Sequence, residues 1–174
     1  MLLSVIGFRL NPVLIPELVV PMKQLLLPIA SIACLFAPLQ QATAKTFGGF
    51  SAGQKITMKV VTVTSTKRIG YFGTETKAPI QNPIPKFKKG QSVTFTVGKK
   101  GELDVSGKFS VPFAHASKTQ NEYNYYKAGA TAINRNIEII KAAGNKPKSA
   151  IMSFFITKTG GVEPVFTSVV YGLK

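Results

Sequence analysis

The chain has 174 residues, with 22 Lys and Arg against 7 Asp and Glu, a formal charge of +15 and 45% apolar residues. This length suits one domain, and the apolar content indicates a packed core rather than a disordered polyelectrolyte. One Cys, one His and no Trp exclude a disulfide framework, a Cys/His zinc site and a c-type haem site. We therefore expect neither a metal site nor a cofactor.

The first 44 residues have the pattern of a targeting segment. Lys23 precedes a nearly unbroken apolar run from Leu25 to Leu39, which is shorter than the roughly 20 residues of a membrane-spanning helix and suits the apolar region of a secretory signal. Ala42-Thr43-Ala44 follows as a small-x-small cleavage site. We expect cleavage near Ala44 to leave a single β-rich domain over residues 45–174, without a transmembrane span.

Residues 1–21 are apolar and rich in proline, whereas Met22-Lys23 is typical of the start of a bacterial signal. We interpret Met1 as an over-extended start and Met22 as the true one. A genuine long leader, or an N-terminal membrane anchor, is the alternative. Acylation of Cys34 is a further alternative, but Ser31 stands where a lipoprotein signal prefers a large aliphatic residue. Localisation is expected to be periplasmic, outer-surface or secreted.

Alternation of β-branched and polar residues predicts a strand of up to ten residues from Ile56. Three strands follow as a meander over 92–97, 102–106 and 108–113, with Gly98-Lys99-Lys100-Gly101 as the first turn. A C-terminal hairpin is predicted from strands at 150–157 and 165–171 around Thr159-Gly160-Gly161.

Three stretches are harder to assign. Residues 131–143 fit a strand or a helix, and the β-branched isoleucines together with Asn134 and Asn136 favour the strand. Prolines make residues 74–90 a loop, and the polar stretch 116–129 is either a long loop or one short helix. The fold class predicted is all-β, an antiparallel sandwich or barrel of about seven to eight strands. An α+β fold with one helix near 131–143 is the alternative.

Residues with catalytic chemistry are scarce. Glu102 and Asp104 lie two apart on one predicted strand, so their side chains share a face, but lysines flank them and favour a solvated, salt-bridged strand face over a catalytic pair. His115 follows a strand end, and the chain contains no Gly-x-Ser-x-Gly elbow. A small secreted hydrolase using His115 with Glu102 or Asp104 therefore remains only the alternative function.

The surplus of lysine carries the main functional hypothesis. Lys86, Lys88 and Lys89 are grouped in the proline-rich loop with Phe87 beside them, and Lys99 and Lys100 sit at the far end of the strand that follows. We predict these five lysines as an anion-binding set in two patches. The remaining lysines, including Lys141, Lys146 and Lys148, are spread along the chain and are expected to contribute only diffuse charge.

Arginine is rare after residue 44, where only Arg68 and Arg135 occur. Because arginine provides bidentate recognition of phosphates and bases, we expect no sequence-specific nucleic-acid binding. The sequence indicates a non-enzymatic, exported, basic β-domain that binds weakly to polyanionic glycans or to an envelope surface, or that is an envelope-associated structural protein. Tyr123, Tyr125 and Tyr126, in the second predicted loop, are the expected contact aromatics.

The leader hypothesis makes a direct prediction. N-terminal sequencing of the protein recovered outside the cytoplasm should return Lys45 as the first residue. A different first residue, or retention of residues 1–21, would contradict the predicted cleavage or the predicted start at Met22.

Overall fold

The computed structural model describes residues 45–174. Stretches in which apolar and polar residues alternate form twelve strands. In chain order the strands are β1 (Thr46–Phe47), β2 (Phe50–Ser51), β3 (Lys55–Ile69), β4 (Thr76–Lys77), β5 (Ser92–Val97), β6 (Leu103–Val105), β7 (Phe109–Val111), β8 (Phe113–Ala116), β9 (Gln120–Lys127), β10 (Thr131–Ala142), β11 (Lys146–Lys158) and β12 (Val165–Leu173). The predicted leader, its cleavage site and the start at Met22 lie outside the described residues.

The all-β prediction is confirmed. Within residues 45–174 the helical structure is limited to one 3-10 turn at Ala143–Asn145, so the α+β alternative with a helix near 131–143 is wrong. That segment is strand β10, paired with β11 over nearly its whole length. Residues 45–174 contain no helix with the length and hydropathy that a membrane span requires.

Ten strands form one antiparallel sheet, whose main path runs β7-β6-β5-β3-β12-β11-β10-β9-β8 with β4 paired to β3. Only Pro112 separates the two end strands, β7 and β8, in the chain. The sheet therefore curls into a nearly closed barrel of about nine strands. This matches the barrel alternative of the prediction, with more strands than expected. The hairpin of β1 and β2 forms a separate two-stranded sheet.

Strand β3 is 15 residues long, longer than the ten residues expected, because it pairs with β5 along its first part and with β12 and β4 along its second. Lys55–Lys59 pairs with β5, and the stretch from Val60 to Ile69 pairs with β12. The register shifts where β3 passes Gly172 and Leu173. The buried side chains of β3 lie at Ile56, Met58 and Val60, and from residue 61 onward none of its side chains is buried.

One hydrophobic core fills the barrel. Its largest fully buried side chains come from β2, β5, β6, β9, β10, β11 and β12 and include Phe50, Phe95, Leu103, Tyr123, Ile137, Ile139, Met152, Phe154 and Tyr171. Aromatic rings meet edge to face within it, with Phe154 5.5 Å from Phe109 and 6.0 Å from Tyr171 between ring centroids. Such pairs contribute beyond their buried area.

The reading of residues 116–129 as a loop or short helix is wrong, because Gln120–Lys127 is strand β9, paired with β10 and β8. Its buried residues alternate, at Asn121 and Tyr123. The predicted C-terminal hairpin is confirmed as β11 and β12, and the 92–97 strand is confirmed without change.

Lys141 is the one lysine buried among residues 45–174, with 8% of its surface exposed, so the expectation that it adds to the surface charge is wrong. Its Nζ donates to the Gly48 carbonyl at 2.9 Å and to the Ser117 carbonyl at 2.7 Å. Nearby, Asn121 Nδ2 donates to the Phe47 carbonyl at 3.2 Å. These bonds fasten the β1–β2 turn and the β8–β9 turn to the end of the barrel.

Replacing Lys141 with Met should therefore destabilise the fold by about 1.5–3 kcal/mol, because methionine retains the apolar stem and removes the charged donor from two carbonyls. Lys146, exposed at the start of the neighbouring strand, is the matched control, and Lys146→Met should change the free energy of unfolding by less than about 0.5 kcal/mol. Urea unfolding measures both. Equal midpoints for the two variants would contradict the bridging role.

Candidate binding surfaces

The loop that carries Lys86, Lys88 and Lys89 is held to the core by Phe87 and Tyr171. Between these exposed lysines, Phe87 is 3% exposed, and its ring meets that of Tyr171 edge to face at 5.4 Å. Tyr171 Oη donates to the Pro85 carbonyl at 2.7 Å. Phe87 therefore packs into the core and fixes the backbone that presents the lysines.

Lys108 lies next to this loop in space, although it comes from a different part of the chain. It lies in the β6–β7 turn, and its Nζ sits 5.3 Å from the centre of the Phe87 ring. The structure thus brings a fourth lysine beside the three that the sequence groups. We call Lys86, Lys88, Lys89 and Lys108 the Phe87 lysine group. Sequence spacing gives no signal for Lys108, because the contact depends on how β5, β6 and β7 fold back on one another.

Lys99 and Lys100 are exposed at the β5–β6 turn, separated from the Phe87 lysine group by the length of β5, as expected. Glu102 Oε2 accepts from the Lys100 amide at 2.9 Å. The turn packs on Phe47, since Gly101 has φ +88° and any Cβ at this position would collide with the Phe47 ring. Lys45 Nζ lies 5.3 Å from the centre of that same ring, so it adds a cation to this second patch.

The three tyrosines do not form one contact surface. Tyr123 is fully buried and packs 5.6 Å from Phe113, and burial raises the pKa of its phenol. Tyr125 is half-buried beneath Arg135, whose guanidinium carbon is 5.1 Å from the ring centre. Only Tyr126, 66% exposed, is available to a partner. The prediction of Tyr123 as a contact residue is therefore wrong, because β9 alternates and its inward residues belong to the core.

The residues of the hydrolase alternative have other partners. Glu102 holds the β5–β6 turn, and Asp104 Oδ1 accepts from the Gly107 amide at 2.9 Å in the next turn. His115 is exposed on β8, where its register partner on β9 is Glu122. Within residues 45–174, no three His, Cys, Asp or Glu side chains come together in a way that could hold a metal ion.

A groove on the outer face of the sheet was not anticipated from the sequence. It encloses about 250 Å³ across β3, β11 and β12, and its lining includes Arg68, Glu75, Phe155 and Phe166. The Arg68 guanidinium carbon lies 4.7 Å from the centre of the Phe166 ring, and the Tyr71 ring lies 5.6 Å from it. The floor of the groove is thus a stacked arginine and aromatic pair rather than a polar catalytic cluster.

No protein-family model, curated protein or solved structure matches this chain.

The anchoring of the lysine loop by Tyr171 gives a pH-dependent prediction. Burial raises the pKa of the Tyr171 phenol above its ordinary value of 10.0, so the unfolded chain loses this proton at lower pH than the folded one. The phenol's contribution to stability is therefore complete below pH 10 and is lost as the pH rises from 10 through the raised value. Tyr171→Phe should cost about 1 kcal/mol at pH 8 through the lost bond to Pro85.

The difference in free energy of unfolding between the parent and Tyr171→Phe should shrink above about pH 10. Urea unfolding at pH 8, 9, 10 and 11 measures it. Tyr126→Phe, at an exposed position, is the control and should leave the pH 8 value unchanged. A difference that is constant across the series would contradict the buried, neutral phenol.

Proposed function

We propose that residues 45–174 form a non-enzymatic, exported binding module that holds anionic envelope surfaces or acidic glycans. The observation that carries this proposal is the Phe87 lysine group, in which three lysines flank the buried Phe87 along the loop and the Nζ of a fourth, Lys108, lies 5.3 Å from the centre of its ring. Because the screening length is about 8 Å at physiological ionic strength, only charges held close together act on a partner as one. Lys86, Lys88 and Lys89 lie in one short loop segment and Lys108 Nζ lies beside Phe87, whereas the lysines on the strands are spread along the chain.

Preorganisation supports the same proposal. Ile84 and Phe87 are both 3% exposed, and the Lys88 amide donates to Gln91 Oε1 at 2.9 Å, so the loop backbone is held from both sides. A loop fixed in this way loses little conformational entropy on binding. The lysine heads themselves stay flexible and strongly hydrated, which suits many polyanions rather than one defined ligand.

The hydrolase alternative receives less support from the geometry. Glu102 and Asp104 each accept a backbone amide within their own turn, and those bonds give both carboxylates a structural role. A paired acid and base would need carboxyl groups free to face a substrate. We therefore favour binding over catalysis.

Heparin chromatography tests the proposal. Changing Lys86, Lys88 and Lys89 together to Ser should lower the NaCl concentration needed for elution by more than changing Lys55, Lys127 and Lys146, three exposed lysines on separate strands. The two triple variants carry the same net charge, so the comparison isolates grouping from total charge. Both should melt close to the parent, since exposed lysines contribute little to stability.

If the two triple variants elute at the same NaCl concentration, diffuse charge alone explains heparin retention and a localised patch is contradicted. Elution of the parent below about 0.15 M salt would reject polyanion binding at physiological ionic strength. Lys108→Ser, added to the first variant, should lower the elution concentration further.

A further inference from the structure

Two loops meet at one end of the sheet. Ile69 at the end of β3 pairs with Val165 at the start of β12, and just beyond them the Gly70 amide donates to the Pro164 carbonyl at 2.8 Å. The β3–β4 loop and the β11–β12 loop are therefore held side by side. We call the apolar residues at this end, Ile69, Tyr71, Phe72 and Val162, the distal tip.

The distal tip exposes its apolar side chains almost completely. Phe72 is 103% exposed and Val162 105%, while Tyr71 is 67% and Ile69 51% exposed. Single exposed apolar residues are ordinary on a soluble protein, but a group of large ones on adjoining loops marks an interaction site. These side chains project outward instead of lining a cleft, so they suit a partner into which they can insert.

Aromatic and cationic side chains pack together at the base of the distal tip. The Tyr71 ring packs 5.6 Å from Phe166, and the guanidinium carbon of Arg68 lies 4.7 Å from the centre of that same ring. This stack places a cation beside Phe166, which Tyr71, the chain neighbour of Phe72, also contacts. Tyrosine beside a cation is the arrangement found where proteins meet the headgroup region of a bilayer.

Charge around the distal tip is mainly positive. Arg68, Lys67, Lys77 and Lys158 lie on the last residues of β3, on β4 and at the end of β11. Two carboxylates share the region. Glu75 lines the outer groove with Arg68, and the Glu163 carboxyl group lies beside Gly70. The excess of cations would attract an anionic lipid surface, to which each Lys or Arg near the surface contributes about 1 kcal/mol.

We propose that the distal tip docks on an anionic lipid bilayer, with Phe72 and Val162 entering the boundary between headgroups and acyl chains. Tyr71 then lies at headgroup level, and the surrounding cations contact the anionic lipids. This inference goes beyond polyanion binding, since it uses apolar insertion, and it does not involve the Phe87 lysine group.

The absence of tryptophan from the chain makes insertion directly observable. Phe72→Trp introduces the single tryptophan of the chain at the distal tip, and its emission, excited selectively over tyrosine, should shift to the blue when vesicles of phosphatidylcholine with 30% phosphatidylglycerol are added. Ile151→Trp is the matched control. Ile151 is also exposed, at 37%, but it lies seven residues before the end of β11, about 23 Å away at ~3.3 Å per residue.

The Ile151→Trp emission should not shift. All variants are made in the chain as it is recovered from cells, so that any contribution of residues 1–44 is the same in each. Vesicle binding without a shift at position 72, or with equal shifts at both positions, would overturn the proposal.

Co-sedimentation gives the second measurement. Changing Phe72 and Val162 together to Ser should lower partition onto the anionic vesicles about tenfold or more, because two apolar side chains lose their burial. Ile151→Ser should partition like the parent. Equal partition of all three proteins, or of the parent onto pure phosphatidylcholine and onto the anionic vesicles, would overturn docking of the tip on anionic lipid.

Heparin elution separates this inference from the proposed function. The Phe72 and Val162 double variant should elute from heparin with the parent, whereas the Lys86, Lys88 and Lys89 triple variant should elute earlier. A double variant that unfolds in urea like the parent but loses heparin retention together with vesicle binding would show that the tip acts through the same charge-based binding as the Phe87 lysine group, and would overturn apolar insertion.

Discussion

The change of register in β3 opposite Gly172 is the constraint on which the rest of the barrel depends. Before it, Ile56, Met58 and Val60 point into the core, and after it the pairing with β12 continues in a new register as far as Ile69. Gly172 fits there because a Cβ on it would lie 2.5 Å from Thr62 Oγ1. The first half of β3 thus contributes side chains to the core of the barrel. Its second half belongs to an extended part of the sheet whose side chains are half-buried or exposed.

This division separates the two binding surfaces by physical type. The closed half is well packed, and its loop residues Ile84 and Phe87 are drawn into the core, so the lysines beside them are held on a rigid base. The extended half has little to bury, and its loops leave Phe72 and Val162 in solvent. Cations on rigid backbone favour polyanions, whereas protruding apolar side chains favour a lipid interface.

Local periodicity made much of the fold predictable, and long-range packing accounts for what was missed. The strands at 92–97 and 165–171 were predicted from local sequence, the second ending two residues short of β12, and the isoleucines of β10 favoured a strand correctly. Strand β9 was missed because its exposed positions are polar and its tyrosines suggest a surface. Alternation of Asn121 and Tyr123 was the available signal. Nothing local shows that Lys141 bonds to carbonyls 93 and 24 residues away.

The arginines and the lysines of residues 45–174 differ in their surroundings. Both arginines of residues 45–174 lie over aromatic rings, Arg68 over Phe166 and Arg135 over Phe109 and Tyr125. The lysines, apart from Lys141, are left to form the charged surface. Because surface lysine charge is screened by salt and apolar insertion is not, binding through both surfaces would fall with rising salt only to the level set by the inserted apolar side chains of the distal tip. Salt dependence thereby separates the part of an interaction that comes from charge from the part that comes from apolar insertion.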